Sequence, residues 1–160
     1  MRITADWGVP TRMPHTELML RLLLAAGLGA AIGLEREYHR KPAGLRTNIL
    51  IGLGAALFTI VSIQMGGPGA TPDRITAQVV TGVGFLGGGA ILRSGHTVHG
   101  MTTAATIWVN AAIGIAAGTG QFAMASEATA ITLVVLALLG PVERYFERRA
   151  AHHNAGRSGK

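Results

Sequence analysis

Charged and amide side chains at the ends of long apolar segments are the residues of this chain that could take part in chemistry. The set nearest the amino end comprises Glu35, Arg36, Glu37, Arg46, Thr47 and Asn48. Carboxylates and guanidinium groups this close in sequence can form charge-assisted hydrogen bonds, so we expect ion pairs here. The predicted pairs join Glu35 or Glu37 to Arg46 or Arg93. A charge at the centre of a bilayer costs about 2.5–3.5 kcal/mol, so these groups are expected at a membrane boundary.

A second set of polar residues lies farther along the chain. Its members are Asp73, Arg74, Gln78, Arg93, Thr102, Thr103 and Asn110. Thr102, Thr106 and Asn110 recur every four positions, which places them on one helix face. Asn110 falls near the middle of an apolar segment, where an unpaired amide costs several kcal/mol, so it is predicted to face other helices or water. A role in helix association and a role in a functional site both remain open.

Metal binding and catalysis find little support in the residue pattern. Mg²⁺ prefers octahedral oxygen coordination that includes carboxylates. The carboxylates near the apolar segments are Glu35, Glu37, Asp73, Glu127 and Glu143, and none lies in mid-segment. His96 and His99 supply two imidazoles without a third ligand. The residue pattern therefore leaves metal binding unknown, and we predict no cofactor and no enzymatic activity.

The sequence Gly82-Val-Gly-Phe-Leu-Gly87 matches the spacing of a dinucleotide-binding loop. That loop requires a preceding strand and an acidic residue about 20 positions later, and neither is expected here. The net charge of +6 suggests nucleic acid, but the cations lie beside apolar segments instead of forming a basic face. We expect no nucleic-acid partner.

Small residues recur at helical spacing in three of the apolar segments. The pairs are Gly29 and Gly33, Gly84 and Gly88, and Gly114 and Gly118. Because lipid provides little hydrophobic drive for helix association, such stripes allow the close backbone packing that replaces it. The alternative is that they line a narrow pathway.

The elements that must position these residues are five apolar helices. Only 14% of the residues are charged, against about 25% in a soluble domain, and 23 of the 160 are glycine. The predicted segments are 17–34, 45–64, 74–92, 101–117 and 122–142, each near the ~20 residues that cross a bilayer. Pro42 and Gly44 are expected to end the first helix and reverse the chain, and Asp73 to cap the third. The predicted organisation is a flexible tail over 1–16, an all-α membrane domain over 17–142 and a basic cytoplasmic tail over 143–160.

The orientation of this domain follows from its cations. The short loop 35–46 holds four Lys and Arg residues, while the connections 65–73 and 118–121 hold none. Cationic loops stay on the cytoplasmic side, which predicts an amino end outside and a carboxyl end inside. A cleaved secretory signal would place loop 35–46 outside, so we reject that alternative. The carboxylates in this loop are not explained by orientation, because acidic residues contribute little to it.

Three segments resemble the MgtC/SapB family of bacterial inner-membrane proteins. They are G-L-E-R-E-Y-H-R-K-P-A-G-L-R-T-N, D-R-I-T-A-Q-V-V-T-G-V-G-F-L-G-G-G-A-I-L-R and V-H-G-M-T-T-A-A-T-I-W-V-N-A-A-I-G. The resemblance covers residues 18–140, with Asn48 where many members have His and Gly88 where many have Ala. Full-length members continue into a cytoplasmic domain with an ACT-like fold, whereas this chain stops at Lys160 and resembles a short form.

The resemblance implies a five-helix inner-membrane protein linked to growth in low magnesium and, in pathogens, to virulence. Family members are generally thought not to transport magnesium, and contact with the membrane part of ATP synthase has been proposed for some. Beside the lipid bilayer, we therefore expect other membrane proteins, or a second copy of this chain, as partners. The hypothesis from the residues alone is a regulator that contacts membrane helices. The alternative is a small permease or channel for Mg²⁺ or another cation, using Glu35, Arg46, Asp73, Gln78 and Asn110.

Overall fold

The structure is a computed structural model that describes residues 13–65, 74–94 and 97–155. Its elements are α1 (His15–Tyr38), α2 (Leu45–Met65), α3 (Arg74–Gly89), β1 (Leu92–Ser94), β2 (Thr97–His99), α4 (Met101–Gly118) and α5 (Phe122–Ala155). The prediction of an all-α fold built on five apolar helices is confirmed. Residues 1–12 of the predicted 1–16 tail and the predicted cap at Asp73 lie outside the described residues, and α1 begins at His15, two residues earlier than predicted.

Four of the helices are long and apolar enough to cross a membrane. They are α1, α2, α4 and the part of α5 from Phe122 to Gly140. The third helix is apolar but has only 16 residues. At 1.5 Å per residue it is about 24 Å long, somewhat less than the ~30 Å hydrocarbon core.

Helix ends differ from the prediction where local propensity overrides the apolar pattern. The first helix continues one turn beyond residue 34, because the Glu and Arg residues there are good helix formers. The third helix ends at Gly89, three residues earlier than predicted, because it reaches three successive glycines, which have a low helix propensity. The predicted tail from residue 143 is helical as far as Ala155, so α5 extends well past the apolar segment.

The predicted loop over 93–100 is instead part of a small β-hairpin. Leu92 pairs with His99, and Ser94 pairs with Thr97, in antiparallel register. Gly100 then begins α4 with φ of 90°, a left-handed conformation that glycine adopts without strain. A Cβ at this position would also collide with the carbonyl oxygen of Ala90. The hairpin therefore closes the connection from α3 to α4 tightly.

Helices α1, α2 and α4 pack against one another and form the centre of the bundle. Helix α3 packs on α4 and α2, and α5 packs on α4 and α1. The buried centre is made of small side chains and a few β-branched ones, among them Ala25, Ala56, Ala117, Ile32 and Ile113. Large apolar side chains face outward instead, including Leu23, Phe85 and Leu138. This distribution suits a protein whose surroundings are lipid.

Glycines bring the central helices into backbone contact. A Cβ at Gly29 would lie 2.6 Å from the carbonyl oxygen of Asn48, and one at Gly33 would lie 2.6 Å from Cα of Leu45. A Cβ at Gly118 would lie 2.8 Å from the carbonyl oxygen of Ala56. Gly29, Gly33 and Gly118 thus lie where close packing needs them.

The stripe on α3 behaves differently. Gly84 and Gly88 are exposed, and a Cβ at either position would meet nothing within 4 Å. This differs from the expectation that all three stripes pack inside the bundle. The reason is that α3 contacts α4 through another face, which carries Val83 and Gly87.

Candidate functional site

Two asparagines join α2 and α4 in the middle of the bundle. Asn110 is fully buried, as its position within an apolar segment predicts. Its Nδ2 donates to the carbonyl oxygen of Asn48 at 2.7 Å and to Oδ1 of Asn48 at 3.2 Å. Asn48 in turn donates from Nδ2 to the carbonyl oxygens of Ala43 and Gly44 before α2. The two amides therefore connect the middle of α4 to the loop that precedes α2.

Arg36 joins the end of α1 to the start of α4. Its side chain is only 3% exposed, and its Nη2 donates to Oγ1 of Thr103 at 2.6 Å and to the carbonyl oxygen of Pro42 at 3.2 Å. Thr103 lies in the first turn of α4 and is itself buried. A hydrogen bond that involves a charged donor is among the stronger ones in proteins. This contact fixes the charged loop over the end of the bundle.

Glu37 stabilises the start of α2. Its Oε2 accepts a hydrogen bond from the backbone N–H of Leu45 at 3.2 Å, at the positive end of the helix dipole. A Cβ at Gly44 would collide with this carboxylate, so glycine at 44 makes room for the contact. The chain reversal expected at Gly44 instead uses positive φ angles at Arg40 and Ala43.

The predicted ion pairs with Arg46 are wrong. Glu37 is occupied by the amide of Leu45, and Oε1 of Glu35 lies 3.0 Å from Nδ1 of His39 on the same helix. Arg46 is exposed and, among the residues the structure describes, is in no ion pair. The side chain of Arg93, the other predicted partner, is not among those described.

The predicted polar residues divide between two concave regions. A polar pocket of about 410 Å³ is lined by Glu35, Arg36, Thr102 and Thr103 together with His39, Lys41 and His99. An apolar cleft of about 1190 Å³ between α2 and α3 is lined by residues that include Arg46, Thr47 and Gln78. Asp73 lies outside the described residues, and the side chain of Arg74 is likewise not described. The polar residues that the sequence analysis singled out therefore do not lie together in one site.

Arg21 makes a partly buried contact that the sequence analysis missed. Its Nη1 donates to the carbonyl oxygen of Gly118 at 2.7 Å, and its Nη2 contacts Oε1 of Glu17. The guanidinium thereby neutralises the negative end of α4. The four-residue spacing of Glu17 and Arg21 was the available signal, since such pairs face each other on a helix.

Within the described ranges, no group of three or more His, Cys, Asp or Glu side chains is placed to hold a metal ion. The site therefore consists of hydrogen-bonded amide, hydroxyl and guanidinium groups at one end of a glycine-packed bundle. Such an arrangement, with four helices able to cross a bilayer, defines a multi-pass α-helical membrane protein.

The chain belongs to the MgtC family. The sequence model of that family matches residues 22–145. The chain is 49% identical over 127 residues to a protein of Escherichia coli (strain K12) named "Putative magnesium transporter YhiD", which covers 75% of this chain and 59% of that protein. It is 49% identical over 128 residues to "Protein MgtC" of Salmonella typhimurium, covering 80% of this chain and 54% of that protein.

A protein of Synechocystis sp. is 44% identical over 140 residues, covering 88% of this chain. The chain spans between 54% and 59% of the length of these three relatives. No solved structure matches the chain significantly. Family membership therefore rests on sequence.

Proposed function

We propose that this protein is a non-enzymatic protein of the bacterial inner membrane that supports adaptation to low magnesium by packing against a transmembrane helix of another membrane protein. The observation that carries the proposal is the outward glycine face of α3. Gly84 and Gly88 are one turn apart, exposed and free of contacts within 4 Å of a Cβ position. Such a face lets the backbone of a second helix approach closely.

The apolar cleft between α2 and α3 is a second surface that a helix could occupy, and neither Gly84 nor Gly88 lines it. Its lining runs along α2 from Arg46 to Phe58 and along α3 from Ile75 to Gly89. It is mostly apolar, and Gly54 and Gly82 on its walls leave open space. Arg46 is exposed and forms no ion pair with any residue that the structure describes, so it is available to a carboxylate at the end of a helix lying in the cleft. The occupant we propose is therefore an apolar helix with an acidic residue at its cytoplasmic end.

The centre of the bundle supports the same proposal. Glycines bring α1, α2 and α4 into backbone contact, and the Nδ2 of Asn110 is occupied by Asn48. Because the centre of the bundle is closely packed, we assign the function to its outer faces and not to a pathway along its axis. The inner-membrane location, the link to virulence and the contact with ATP synthase implied by the family are part of this proposal.

The test replaces both open glycines, in the Gly84→Leu/Gly88→Leu variant, and measures growth of a complemented bacterial strain in low magnesium. The control is Gly27→Leu, because Gly27 is also exposed and has nothing within 4 Å of its Cβ position. We expect the double variant to lose complementation while remaining folded by gel filtration in detergent. Equal growth with both variants would contradict the proposal.

A small magnesium permease is the second candidate function. It is favoured by the printed name of the Escherichia coli relative and by Oδ1 of Asn110, which is buried without a partner among the described residues. Saturable Mg²⁺ entry into reconstituted vesicles, lost in Asn110→Leu and in Gln78→Leu, would establish it. Because Gln78 is exposed, its substitution leaves the fold intact and separates loss of transport from loss of structure.

A further inference from the structure

We propose that the polar pocket at the end of the bundle, defined above by Glu35, Arg36, His39, Lys41, His99, Thr102 and Thr103, binds a phosphate group. The pocket lies between the end of α1, the strand β2 and the first turn of α4, and residues of α5 form its outer wall. It is separate from the apolar cleft on α3, so this inference does not depend on the proposed helix partner.

The start of α4 supplies backbone donors to the pocket. Gly100, Met101, Thr102 and Thr103 all line it. The first amides of a helix have no acceptor within the helix, and no side chain caps α4 at Gly100. With 18 residues, α4 also has a helix dipole whose positive end lies here. Phosphate groups bind at such helix ends in many proteins.

A buried guanidinium gives the second, independent indication. Arg36 lines the pocket and is 97% buried, and its Nη2 reaches Thr103 in the first turn of α4. Its Nε has no hydrogen-bond partner among the described residues. A buried donor on a charged group that lacks an acceptor is destabilising, because it has lost its hydrogen bonds to water. An oxyanion at the start of α4 would supply the acceptor that this Nε–H lacks among the described residues.

The remaining charges of the pocket favour an anion over a metal ion. Arg36 and Lys41 are two cations against the single carboxylate of Glu35, which leaves +1 with both histidines neutral. Oε1 of Glu35 lies beside Nδ1 of His39, while its Oε2 is buried without a partner in the described part of the chain. One carboxylate is a poor site for a divalent cation, which takes six or more oxygen ligands.

The wall formed by α5 indicates where the phosphate comes from. Val135 and Leu139 line the pocket and are 46% and 51% exposed, so the pocket borders the lipid-facing surface. A phospholipid could place its phosphate in the pocket while its acyl chains lie along α5. A free phosphate from the adjacent aqueous phase would use the same donors. The shared chemistry is a tetrahedral phosphate group, and the experiment distinguishes the two sources.

The experiment uses the full chain purified in detergent, with two arms. In one arm, inorganic phosphate is titrated and followed by ³¹P NMR line broadening. In the other, phosphatidylglycerol is added and bound lipid is counted by native mass spectrometry. We compare Lys41→Gln with Arg40→Gln, because both cations are exposed neighbours on the same loop but only Lys41 lines the pocket.

We expect Lys41→Gln to weaken binding about two- to fivefold, the effect of losing one exposed charge contact, while Arg40→Gln binds like the wild type. Binding in the first arm alone identifies free phosphate as the ligand, and binding in the second alone identifies the lipid headgroup. The Arg36→Lys variant, which keeps the charge but loses the guanidinium geometry, should also bind more weakly. Failure of both probes to bind, or equal losses in Lys41→Gln and Arg40→Gln, would overturn the proposal.

Discussion

Gly114 shows how closely single residues control the packing of the central helices. A Cβ at this position would collide with the carbonyl oxygen of Gly52 and lie 2.9 Å from Cβ of Ala55. Neither atom belongs to a flexible side chain, so α2 and α4 would have to separate. Since lipid supplies little compensating drive for association, the lost contacts are not replaced.

The Gly114→Ala substitution should therefore lower the free energy of unfolding by about 1–3 kcal/mol, the usual cost of overpacking. Thermal unfolding in detergent, followed by circular dichroism, measures the effect. Gly54→Ala is the matched control, because a Cβ at Gly54 on the same helix pair meets nothing within 4 Å. The same loss of stability in both variants would show that helix propensity, not close packing, determines the outcome.

The sequence predicted which residues are buried better than it predicted which residues they contact. The position of Asn110 within an apolar segment indicated that its amide must be buried, and it is. Its partner Asn48 lies 62 positions away, and their contact depends on the relative register of α2 and α4. The wrong pairing of Glu37 with Arg46 has a related cause. The backbone N–H of Leu45 competes for the carboxylate, and sequence charge alone does not reveal such a donor.

Among the elements, α1 and α4 are joined at both ends by arginines of α1. Arg36 donates to Thr103 in the first turn of α4, and Arg21 donates to the carbonyl oxygen of Gly118 in its last. A cation at the end of α4 offsets the helix dipole there. The hydrogen bond also gives a donor to a carbonyl oxygen that has no N–H partner within the helix. The two contacts fix the tilt and register of α4 against α1.

Replacing Arg21 with methionine tests this account of the helix pair. Arg21→Met retains most of the apolar stem but removes the hydrogen bond to Gly118, so we expect a loss of about 1.5–3 kcal/mol in the free energy of unfolding. Glu17→Gln is the control, since the side chain of Glu17 is 39% exposed and its ion pair contributes less than about 1 kcal/mol. A larger effect from Glu17→Gln than from Arg21→Met would contradict the role of the Gly118 contact.

The five helices themselves were predictable because each is a long apolar segment. Their ends were less so. Helix α5 continues past Gly140 to Ala155, where the apolar pattern stops but helix propensity does not. The hairpin of Leu92–Ser94 with Thr97–His99 was expected as a loop, because strands of three residues carry too little pattern to be recognised.

At the scale of the whole molecule, the bundle is closed at its centre and open on one outer side. Helices α1, α2 and α4 contact one another along glycine faces, whereas α3 leaves Gly84 and Gly88 uncovered. The predicted orientation, with the amino end outside and loop 35–46 in the cytoplasm, places Arg46 at the cytoplasmic end of the adjoining cleft. A helix packed on the outer face of α3 would cover the open glycines, and a helix lying in the cleft would meet Arg46 at its inner boundary.

The most direct test of this central claim is site-specific cross-linking in intact bacterial membranes. Because the chain has no cysteine, the Gly84→Cys variant carries a single thiol that can be labelled with a benzophenone maleimide. We predict that irradiation joins position 84 to one transmembrane helix, identified by mass spectrometry, and that adding Gly88→Leu abolishes the adduct. The Gly27→Cys variant, equally exposed on α1, should give no such adduct. Lipid adducts alone at position 84, or the same protein captured from position 27, would contradict the account.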